Sequence, residues 1–522
     1  MAVATIKRIY LQNFKRFQEY TIEPNDRINI LVGDNEAGKS SVLEAIDLAA
    51  GGNVRRVEAI GIDRLLNIDA VQEFISGERK FTNLPRLVIE LYLEGNFGFE
   101  MNGKNNSQGI LANGIRLICE PNPDYVNEIN EALEAHGEYF PYDYYHIRFS
   151  TFADEGYTGY KKKLRSVLID SAGMSSEYAT NDFVKRMYLQ YTEAEVKERA
   201  LHNSRYRIMR NEFQNDSLRE LNDRVPAEKG YTFGLRSGSS MSVSGDLMIY
   251  ESGIEIDNKG TGKQVFIKTD FALEKSGENI DVILIEEPEN HLSPVNLRKL
   301  IQRVANTRQG QIFITTHNSM ISTRLELQNL LIMHVNDEHR PTMLADLSVD
   351  TAKHFMKTPP AGIVEYALAP KSILVEGPAE YMLFEKFYMS VAGYAPEKDD
   401  VHIIDVRGLS FKRYLEIAKL IKSKVAVITD NDGDVQKNIT KKYESFSGID
   451  HIKVFNDGDT DKRTFEIVLY GDNEELCRRL FGDDAQQYML NNKTEAAYEL
   501  LSCEDGIIVP DYIQRAIQWI RE

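Results

Sequence analysis

The sequence contains little cysteine and no long apolar run, and both shortages limit what the protein can be. Its three cysteines, Cys119, Cys477 and Cys503, include no C-x-x-C pair. This argues against a zinc or disulfide framework and favours a reducing compartment. No segment approaches the ~18 apolar residues of a membrane span, and the N-terminus lacks the apolar core of a signal peptide. We therefore expect a cytoplasmic protein with no membrane partner.

An excess of basic side chains is also missing. The 522 residues carry 62 Lys and Arg against 80 Asp and Glu, a formal net charge of −18. Such a molecule does not attract nucleic acid as a whole, so any contact with DNA has to be local. The chain is also too long for one ordinary core, which predicts several domains.

A phosphate-binding loop lies near the N-terminus. Residues 33–40 fit the G-x-x-x-x-G-K-S spacing, between the apolar run Arg27–Val32 and the helical apolar spacing of Lys39–Ala50. In such a loop backbone N–H groups cradle phosphates, Lys39 reaches the β/γ oxygens and Ser40 can hold magnesium. The expected nucleotide-binding residues are Gly33, Asn35, Gly38, Lys39, Ser40 and Ser41. We predict that this loop binds ATP.

Two later segments supply further groups for the same chemistry. The apolar strand Val282–Ile285 runs into Glu286 and Glu287, where the first carboxylate would orient magnesium and the second would polarise the attacking water. Solvated acids at a strand end are the alternative. A strand at Gln311–Thr315 precedes His317, which we expect to sense a γ-phosphate, although a lone histidine is often structural.

The C-terminal part alternates strands and helices and delivers acids at strand ends. Ser372–Val375 is followed by Glu376, and Val425–Ile428 is followed by Asp430 and Asp432. Because the ends of parallel strands meet at one edge of a sheet, these carboxylates should converge and offer hard oxygen ligands suited to Mg²⁺ or Mn²⁺. An acidic turn without a metal is the alternative.

The N-terminal pattern resembles the ABC class of ATPases, in its branch of DNA-repair and SMC-like proteins. Asn13–Phe17 echoes a phrase common in that branch, and Lys259–Gln264 is the best match to the signature loop that completes the site of an opposite subunit. The class usually has aspartate where Glu286 stands. The resemblance implies ATP sandwiched between two such domains, and hence a homodimer or a higher homo-oligomer.

The C-terminal pattern resembles a Toprim domain, and with the ATPase in front the chain resembles the OLD (overcoming lysogenization defect) family of nucleases from about residue 5 to its end. The resemblance assigns metal binding to Glu376, Glu380, Asp430, Asp432 and Glu466. It places Lys493 near the scissile phosphate and leaves open whether Glu376 is a ligand or a general base. Catalysis would then depend on Glu376 and Lys493 for two-metal hydrolysis of DNA, and on Glu287 for ATP.

We therefore predict an α/β protein with an ABC-type P-loop ATPase domain, a helical insertion and a Toprim α/β domain. The ATPase would occupy residues 1–159 and 226–355, the insertion 160–225 and the Toprim domain 365–522, with a break at Thr358–Gly362. The insertion would serve dimerisation, or would pack as an ordinary amphipathic pair on its own domain.

The predicted function is a nucleotide-regulated, metal-dependent DNA endonuclease. Family resemblance implies a role in defence against phage, in some relatives with a second component encoded nearby. The alternative is a nucleotide-dependent DNA clamp or assembly scaffold with no nuclease activity of its own. A topoisomerase is disfavoured because the chain has no room for a recognisable cleavage domain, and a primase because it has no zinc module.

Overall fold

The structure is a computed structural model that describes most of the chain. The described residues are 4–135, 139–159, 163–170, 184–185, 187–189, 191–192, 196–226, 231–235, 243–274, 280–334, 339–357, 362–408, 410–503 and 506–522. The chain divides into two compact units, the first comprising Met1–Glu19, Glu23–Ile28 and Ser40–Thr315 and the second Tyr20–Ile22, Asn29–Lys39 and Thr316–Glu522. Across those described ranges, no helix is both long enough and apolar enough to cross a membrane.

The strands are numbered in chain order over the described residues. They are β1 Thr5–Phe14, β2 Phe17–Ile22, β3 Ile28–Gly33, β4 Leu87–Glu94, β5 Asn102–Gly103, β6 Ala112–Pro121, β7 Tyr145–Thr151, β8 Ser166–Asp170, β9 Tyr250–Glu251, β10 Ile254–Glu255, β11 Val282–Glu286, β12 Gln311–Thr315, β13 Leu330–Met333, β14 Thr342–Met343, β15 Lys371–Val375, β16 Val401–Asp405, β17 Lys424–Ile428 and β18 Ile452–Phe455.

The α-helices are numbered in the same way. They are α1 Lys39–Gly51, α2 Val54–Ile60, α3 Ile62–Leu65, α4 Ile68–Ser76, α5 Val126–Ala135, α6 Val196–Asp216, α7 Arg219–Asp223, α8 Val243–Asp246, α9 Thr261–Glu274, α10 Pro294–Asn306, α11 Ser319–Arg324, α12 Val349–Lys357, α13 Ile363–Leu368, α14 Pro378–Ala392, α15 Phe411–Ile421, α16 Phe465–Asp472, α17 Glu474–Phe481, α18 Ala485–Asn491, α19 Lys493–Ser502 and α20 Asp511–Arg521. A π-helix spans Gln436–Lys441.

An antiparallel sheet opens the first unit. In it β1 pairs with β4, β4 with β6 and β6 with β7. Apolar residues two apart along β4, Leu87, Ile89 and Leu91, are fully buried. Because side chains alternate between the faces of a strand, this spacing turns one apolar face of the sheet toward the core.

Parallel strands then carry the nucleotide-binding segments. In the first unit β11 lies between β8 and β12, parallel to both, and its residues from Val282 to Ile285 are fully buried. A continuous apolar run is typical of a strand covered on both faces. In the second unit β3, which leads into the P-loop, pairs in parallel with β13. The strands predicted at Val282–Ile285 and Gln311–Thr315 are confirmed.

The second unit also contains a four-stranded, wholly parallel sheet in the order β16-β15-β17-β18. Its core includes Ile373, Val375, Phe384, Phe387 and Ile428. The first strand in sequence, β15, lies between β16 and β17. The chain therefore passes from β15 to β16 on one side, and β17 pairs with β15 on the other side. Ligands bind at such a switch point, beyond the carboxyl ends of the strands.

Two expectations fall partly or wholly on residues outside the described ranges. Of the predicted helical insertion, α6 and α7 are described, whereas 171–183 is not. The part of the predicted break at 358–361 also lies outside the described residues. The domain boundaries and the dimerising role of the insertion therefore stay predictions.

Candidate functional site

The P-loop is the turn between β3 and α1, and its glycines are required by geometry. A Cβ added to Gly33 would lie 2.3 Å from the carbonyl oxygen of Met333, and Gly38 has a φ of 91° in the left-handed region. Lys39 is buried, and its Nζ donates to the carbonyl oxygens of Gly33 and Asp34, both at 2.9 Å. The lysine amine is thus held at the loop that cradles phosphates in P-loop proteins.

The remaining predicted residues of this loop are more accessible. Asn35 and Ser40 are exposed, and Ser41 is half-buried. Both serines lie in the first turn of α1, where free backbone N–H groups and the helix dipole favour an anion. Asn35 and Ser40 are therefore each accessible to a ligand.

The two acids after β11 occupy different conformations. Glu286 ends the strand, paired in register with Thr315 of β12. Glu287 takes a left-handed backbone with φ 36°, and its N–H donates to the carbonyl and hydroxyl oxygens of Thr315 at 3.1 and 3.2 Å. Its Oε2 accepts from Asn290 Nδ2 at 2.6 Å. A bulky residue held at positive φ is strained, and such strain concentrates at functional sites.

His317 follows β12 in the second unit and is exposed. The N–H of the preceding residue, Thr316, donates to the carbonyl oxygen of Leu31 in β3 at 3.1 Å. The imidazole is therefore carried by a segment attached to the strand that leads into the P-loop. Its role as a γ-phosphate sensor stays a prediction.

The predicted signature loop opens α9 in the first unit. A Cβ added to Gly262 would lie 2.0 Å from the carbonyl oxygen of His291, so the backbones meet closely there. Gln264 is buried and its Nε2 donates to the carbonyl oxygen of Lys259 at 3.0 Å. These contacts fix the start of α9 against the segment that follows the two acids.

The acidic site predicted for the C-terminal half lies at the carboxyl edge of the parallel sheet. Glu376 follows β15 and Asp430 follows β17 by two residues, so they flank the switch point from either side. Glu380 lies in the first turn of α14 and Glu466 in the first turn of α16. Four carboxylates that are distant in the sequence thus lie at one edge of the sheet.

Burial governs the charge state of the two glutamates around β15. Burial raises the pKa of Glu376, opposed by a hydrogen bond from the backbone of Asp430 and reinforced by the charge of Asp432. Burial also raises the pKa of Glu380 to about 7, opposed by its own backbone N–H and reinforced by the charges of Glu466 and Glu376. Burial therefore shifts both side chains toward the protonated form relative to an exposed glutamate.

Asp430 is the most strongly perturbed acid of the group. Its pKa rises to about 8, first because it is buried and then because Glu376, Glu380 and Glu466 are near it. Its Oδ1 accepts from the backbone N–H of Phe465 at 2.8 Å, which ties the end of β17 to the start of α16. The pKa values of these coupled groups show that the carboxylates share one electrostatic environment.

Lys493 provides the one cation paired directly with this group among the described residues. Its Nζ lies 3.0 Å from Glu466 Oε1, and Glu466 is only 4% exposed. Asp432, by contrast, is exposed and lies at the rim, with a left-handed φ of 49° and its N–H donating to the carbonyl oxygen of Arg463 at 3.1 Å. The structure brings together Glu376, Glu380, Asp430, Glu466 and Lys493, and leaves Asp432 at the edge.

The chemistry of these donors fits a divalent cation, although the carboxylates do not form a closed cage. In the part of the chain that the structure describes, no three His, Cys, Asp or Glu side chains are gathered tightly enough to hold a metal ion. Two buried oxygens of the group, Glu376 Oε2 and Glu466 Oε2, nevertheless have no hydrogen-bond partner. Buried acceptors without donors are rare, and carboxylate oxygens are the ligands that Mg²⁺ and Mn²⁺ prefer.

The raised pKa values predict how stability depends on pH and metal. Glu380 and Asp430 each have a folded-state pKa above the value of about 4 in the unfolded chain, so the stability they contribute is present at low pH and is lost as pH rises toward 8. We expect the Tm of the metal-free protein to fall by several degrees between pH 5 and 8, and Mg²⁺ to reduce that fall.

Thermal melting in EDTA and in Mg²⁺ across this pH range measures the effect. Asp430→Asn removes the most perturbed acid and should flatten the metal-free pH dependence. Asp472→Asn is a matched control, because Asp472 pairs with Lys462 outside the carboxylate group. An unchanged pH slope in Asp430→Asn would contradict the assignment of these acids.

One acid near this edge was missed by the sequence analysis. Asp457 follows β18, the strand that pairs with β17. Burial raises the pKa of Tyr512, and the charges of Asp430, Glu380, Asp457 and Glu466 raise it further. The available signal was an apolar strand at Ile452–Phe455 ending in an acid two residues later. It was overlooked because the order of the strands cannot be read from their spacing.

Three family models match separate or overlapping parts of the chain. Residues 368–432 match the model "Overcoming lysogenization defect protein-like, TOPRIM domain", while 8–217 match "AAA domain" and 172–321 match "AAA ATPase domain". The DNA replication and repair protein RecF of Pseudomonas putida is 26% identical over 145 residues, 27% of this chain and 39% of the relative. RecF of Clostridium kluyveri is 29% identical over 129 residues, 24% of this chain and 35% of the relative. The chain thus spans less than half the length of these relatives.

Solved structures with similarity to the chain fall into the same two groups. A RecF–ATP structure has a TM-score of 0.33 at 11% identity, covering 65% of this chain and 99% of that one. The C-terminal region of the Xanthomonas campestris pv. campestris OLD protein has a TM-score of 0.23 at 17% identity, covering 29% of this chain and 95% of that one. The predicted α/β class, with an ABC-type head and a Toprim domain, is confirmed by the family models.

Proposed function

We propose that this chain, an ABC-type ATPase joined to an OLD-like TOPRIM domain, is a nucleotide-regulated DNA endonuclease that requires Mg²⁺ or Mn²⁺. The observation that carries the proposal is the group of carboxylates at the switch point of the parallel sheet. Glu376, Glu380 and Asp430 have raised pKa values there, and Glu466 is paired with Lys493. Such a concentration of perturbed acids marks a functional site.

The residues of this site divide the work of phosphodiester hydrolysis among them. Glu376, Glu380, Asp430, Asp432 and Glu466 would hold the cations. Bound divalent cations supply Lewis acidity and lower the pKa of water, which is the two-metal route to hydrolysis of a phosphodiester. Glu376, with one buried oxygen lacking a hydrogen-bond donor, is suited to bind a cation or to take the proton of the attacking water. Lys493 neutralises charge on the phosphate oxygens.

The ATPase half controls access to this chemistry. Gly33, Asn35, Gly38, Lys39, Ser40 and Ser41 bind the phosphates of ATP, Glu286 orients magnesium, Glu287 positions water and His317 senses the γ-phosphate. ATP held between two copies of the chain would change their separation, so that nucleotide occupancy gates the entry of DNA. A homodimer or a higher homo-oligomer in the cytoplasm, defending the cell against phage with or without a second component, fits this design.

The test is the conversion of supercoiled plasmid to nicked or linear DNA with Mg²⁺ or Mn²⁺, with and without ATP. Cleavage that needs the metal and responds to nucleotide supports the proposal. DNA binding that responds to ATP, with no cleavage under any of these conditions, favours a nucleotide-dependent clamp or scaffold. The two results separate an enzyme from a binding protein that has the same fold.

Lys493 gives a prediction specific to the cleavage step. Burial lowers its pKa, but the hydrogen bond and charge of Glu466 outweigh that effect and raise it, so the amine stays protonated at neutral pH. We expect Lys493→Ala to reduce the single-turnover cleavage rate by about 10²-fold, because charge on the phosphate is no longer offset.

Cleavage rates of Lys493→Ala, Lys493→Arg and Lys462→Ala at saturating metal measure this effect. Lys462 is a matched control in the same unit, where it pairs with Asp472 at 3.6 Å. Lys493→Arg keeps the charge and should retain more activity than Lys493→Ala. Equal rates in the wild type and Lys493→Ala would exclude the assigned role.

A further inference from the structure

Asn431 lies between the two aspartates at the end of β17, and its side chain is only 1% exposed. Its Nδ2 donates to the carbonyl oxygens of Asp457, Asp459 and Lys462 at 2.9, 2.8 and 3.1 Å. Its Oδ1 accepts from the backbone N–H of Gly433 at 2.7 Å. Three acceptors and one donor around the amide fix its orientation, so the side chain bridges two loops in a single way.

The bridged loops are the ones that carry three of the assigned acids. One loop, from Asp430 to Asp434, follows β17, and the other, from Asn456 to Thr464, leads into Glu466. Two further hydrogen bonds from main-chain N–H groups connect the same segments. The N–H of Asp432 donates to the carbonyl oxygen of Arg463, and the N–H of Phe465 donates to Asp430 Oδ1.

The backbone of the first loop is not relaxed without such support. Asp432 and Gly433 have φ values of 49° and 80°, so two successive residues adopt left-handed conformations. For Asp432 that conformation is uncommon and persists when its surroundings hold it. The bond from Gly433 N–H to Asn431 Oδ1 spans this turn, and Asn438 Nδ2 donates to the carbonyl oxygen of Asn431 at 3.0 Å.

We propose that Asn431 is a positioning residue that sets the distance of Asp430 and Asp432 from Glu466, and thereby the affinity of the carboxylate group for its divalent cation. This inference rests on the proposed function, since it assigns Asn431 a role in the same metal-binding site. Supporting hydrogen bonds of this kind orient metal ligands and tune their affinity, typically by about 10- to 100-fold. Asn431 itself offers the cation no ligand, because its oxygen is bonded to Gly433 and its nitrogen faces three carbonyls.

A second buried asparagine of the same unit is a matched control. Asn473 is 5% exposed, its Nδ2 donates to the carbonyl oxygens of Leu469 and Ile508 at 3.1 and 2.9 Å, and its Oδ1 accepts from the N–H of Ile508 at 2.7 Å. It connects backbone segments as Asn431 does, but it joins the C-terminal half of α16 to the segment before α20, and its amide bonds reach neither the loop after β17 nor the loop that leads into Glu466. Loss of either amide leaves buried carbonyl groups without donors and should lower the Tm.

The experiment measures Mn²⁺ binding by electron paramagnetic resonance in the nucleotide-free full chain, and the Mn²⁺ concentration for half-maximal plasmid cleavage. We expect Asn431→Ala to weaken Mn²⁺ binding and to raise the half-maximal concentration by at least about 10-fold, with a smaller effect on the rate at saturating Mn²⁺. Asn431→Ser restores one hydrogen-bond donor, so its two Mn²⁺ measurements should lie between those of the wild type and Asn431→Ala. Asn473→Ala should lower the Tm and leave both Mn²⁺ measurements unchanged.

ATP hydrolysis by each variant reports that the rest of the chain is folded, and Asn431→Ser takes the place of Asn431→Ala if the latter does not fold. Unchanged Mn²⁺ binding in a folded Asn431 variant overturns the inference, as does an equal weakening in Asn473→Ala. If the wild type binds Mn²⁺ through Asp430 but cleaves no DNA, the endonuclease proposal fails, and the binding measurement still decides the role of Asn431.

Discussion

Plasmid cleavage by Glu376→Gln should be slower than that of the wild type by about 10³-fold or more. Glutamine keeps the shape of the side chain but carries no negative charge and cannot accept a proton from water. Glu376 stands at the end of β15 beside the switch point, and its Oε2 is buried without a hydrogen-bond partner. Because the substitution leaves the packing intact and burial already favours the neutral form of Glu376, we expect an unchanged Tm in EDTA at pH 5.

The single-turnover cleavage rate at saturating Mg²⁺ or Mn²⁺ measures this loss. Glu416→Gln is the matched control, since Glu416 is a structural carboxylate of the same unit. It accepts from the backbone and hydroxyl of Ser348 at 2.7 and 2.9 Å and from Thr351, and these bonds lower its pKa although burial acts to raise it. If Glu376→Gln cleaved plasmid at the wild-type rate, the carboxylate group would have no part in the proposed mechanism.

Replacing Lys39 with alanine is expected to weaken ATP binding by about 10²-fold and to abolish ATP hydrolysis. Lys39 is only 5% exposed, and its amine is held by the carbonyl oxygens of Gly33 and Asp34, so it is placed to meet the phosphates without first being ordered. Its loss removes the positive charge that faces the β/γ phosphates, where catalysis depends on positioning and electrostatics.

Binding of a fluorescent ATP analogue and the rate of phosphate release measure the two effects separately. Glu287→Gln is the companion variant, because it should keep nucleotide binding and slow hydrolysis by about 10²-fold. If ATP occupancy gates DNA entry, Lys39→Ala and Glu287→Gln should shift plasmid cleavage in opposite directions. Identical cleavage by both variants and the wild type would show that nucleotide does not regulate the nuclease.

Local patterns in the sequence predicted the elements that carry these residues. The apolar run before Gly33 and the helical spacing after Lys39 predicted β3 and α1, and α1 ends at Gly51, one residue beyond the predicted Ala50. The apolar run Val425–Ile428 lies within β17. These predictions succeed because the periodicity of a buried face is a property of neighbouring residues.

Local patterns alone did not predict how the acids are arranged. Glu376, Asp430 and Asp432 follow strands that the sequence itself marks, whereas Glu466 and Lys493 were assigned through the family resemblance. Their 3.0 Å contact joins the starts of α16 and α19, which are more than 25 residues apart and have no periodicity in common. The order β16-β15-β17-β18, which puts β15 beside β17, likewise depends on packing between distant segments.

Asn431 shows why a positioning residue escapes sequence reasoning. Within the motif Asp430-Asn431-Asp432 the middle residue reads as a spacer, because its side chain has no charge to suggest a ligand. Its three backbone partners lie in a loop 26 to 31 residues further along the chain. Such contacts become visible only when β17 and β18 are paired in register.

The acids at the switch point carry protons that the proposed cation would replace. At neutral pH the proposed cation would displace hydrogen ions from Asp430 and Glu380, so its binding would release protons and a fall in pH would oppose it. The occupancy of the site would therefore depend on both the concentration of the metal and the pH. The proposed nuclease would therefore lose activity as the pH falls, without any change in nucleotide.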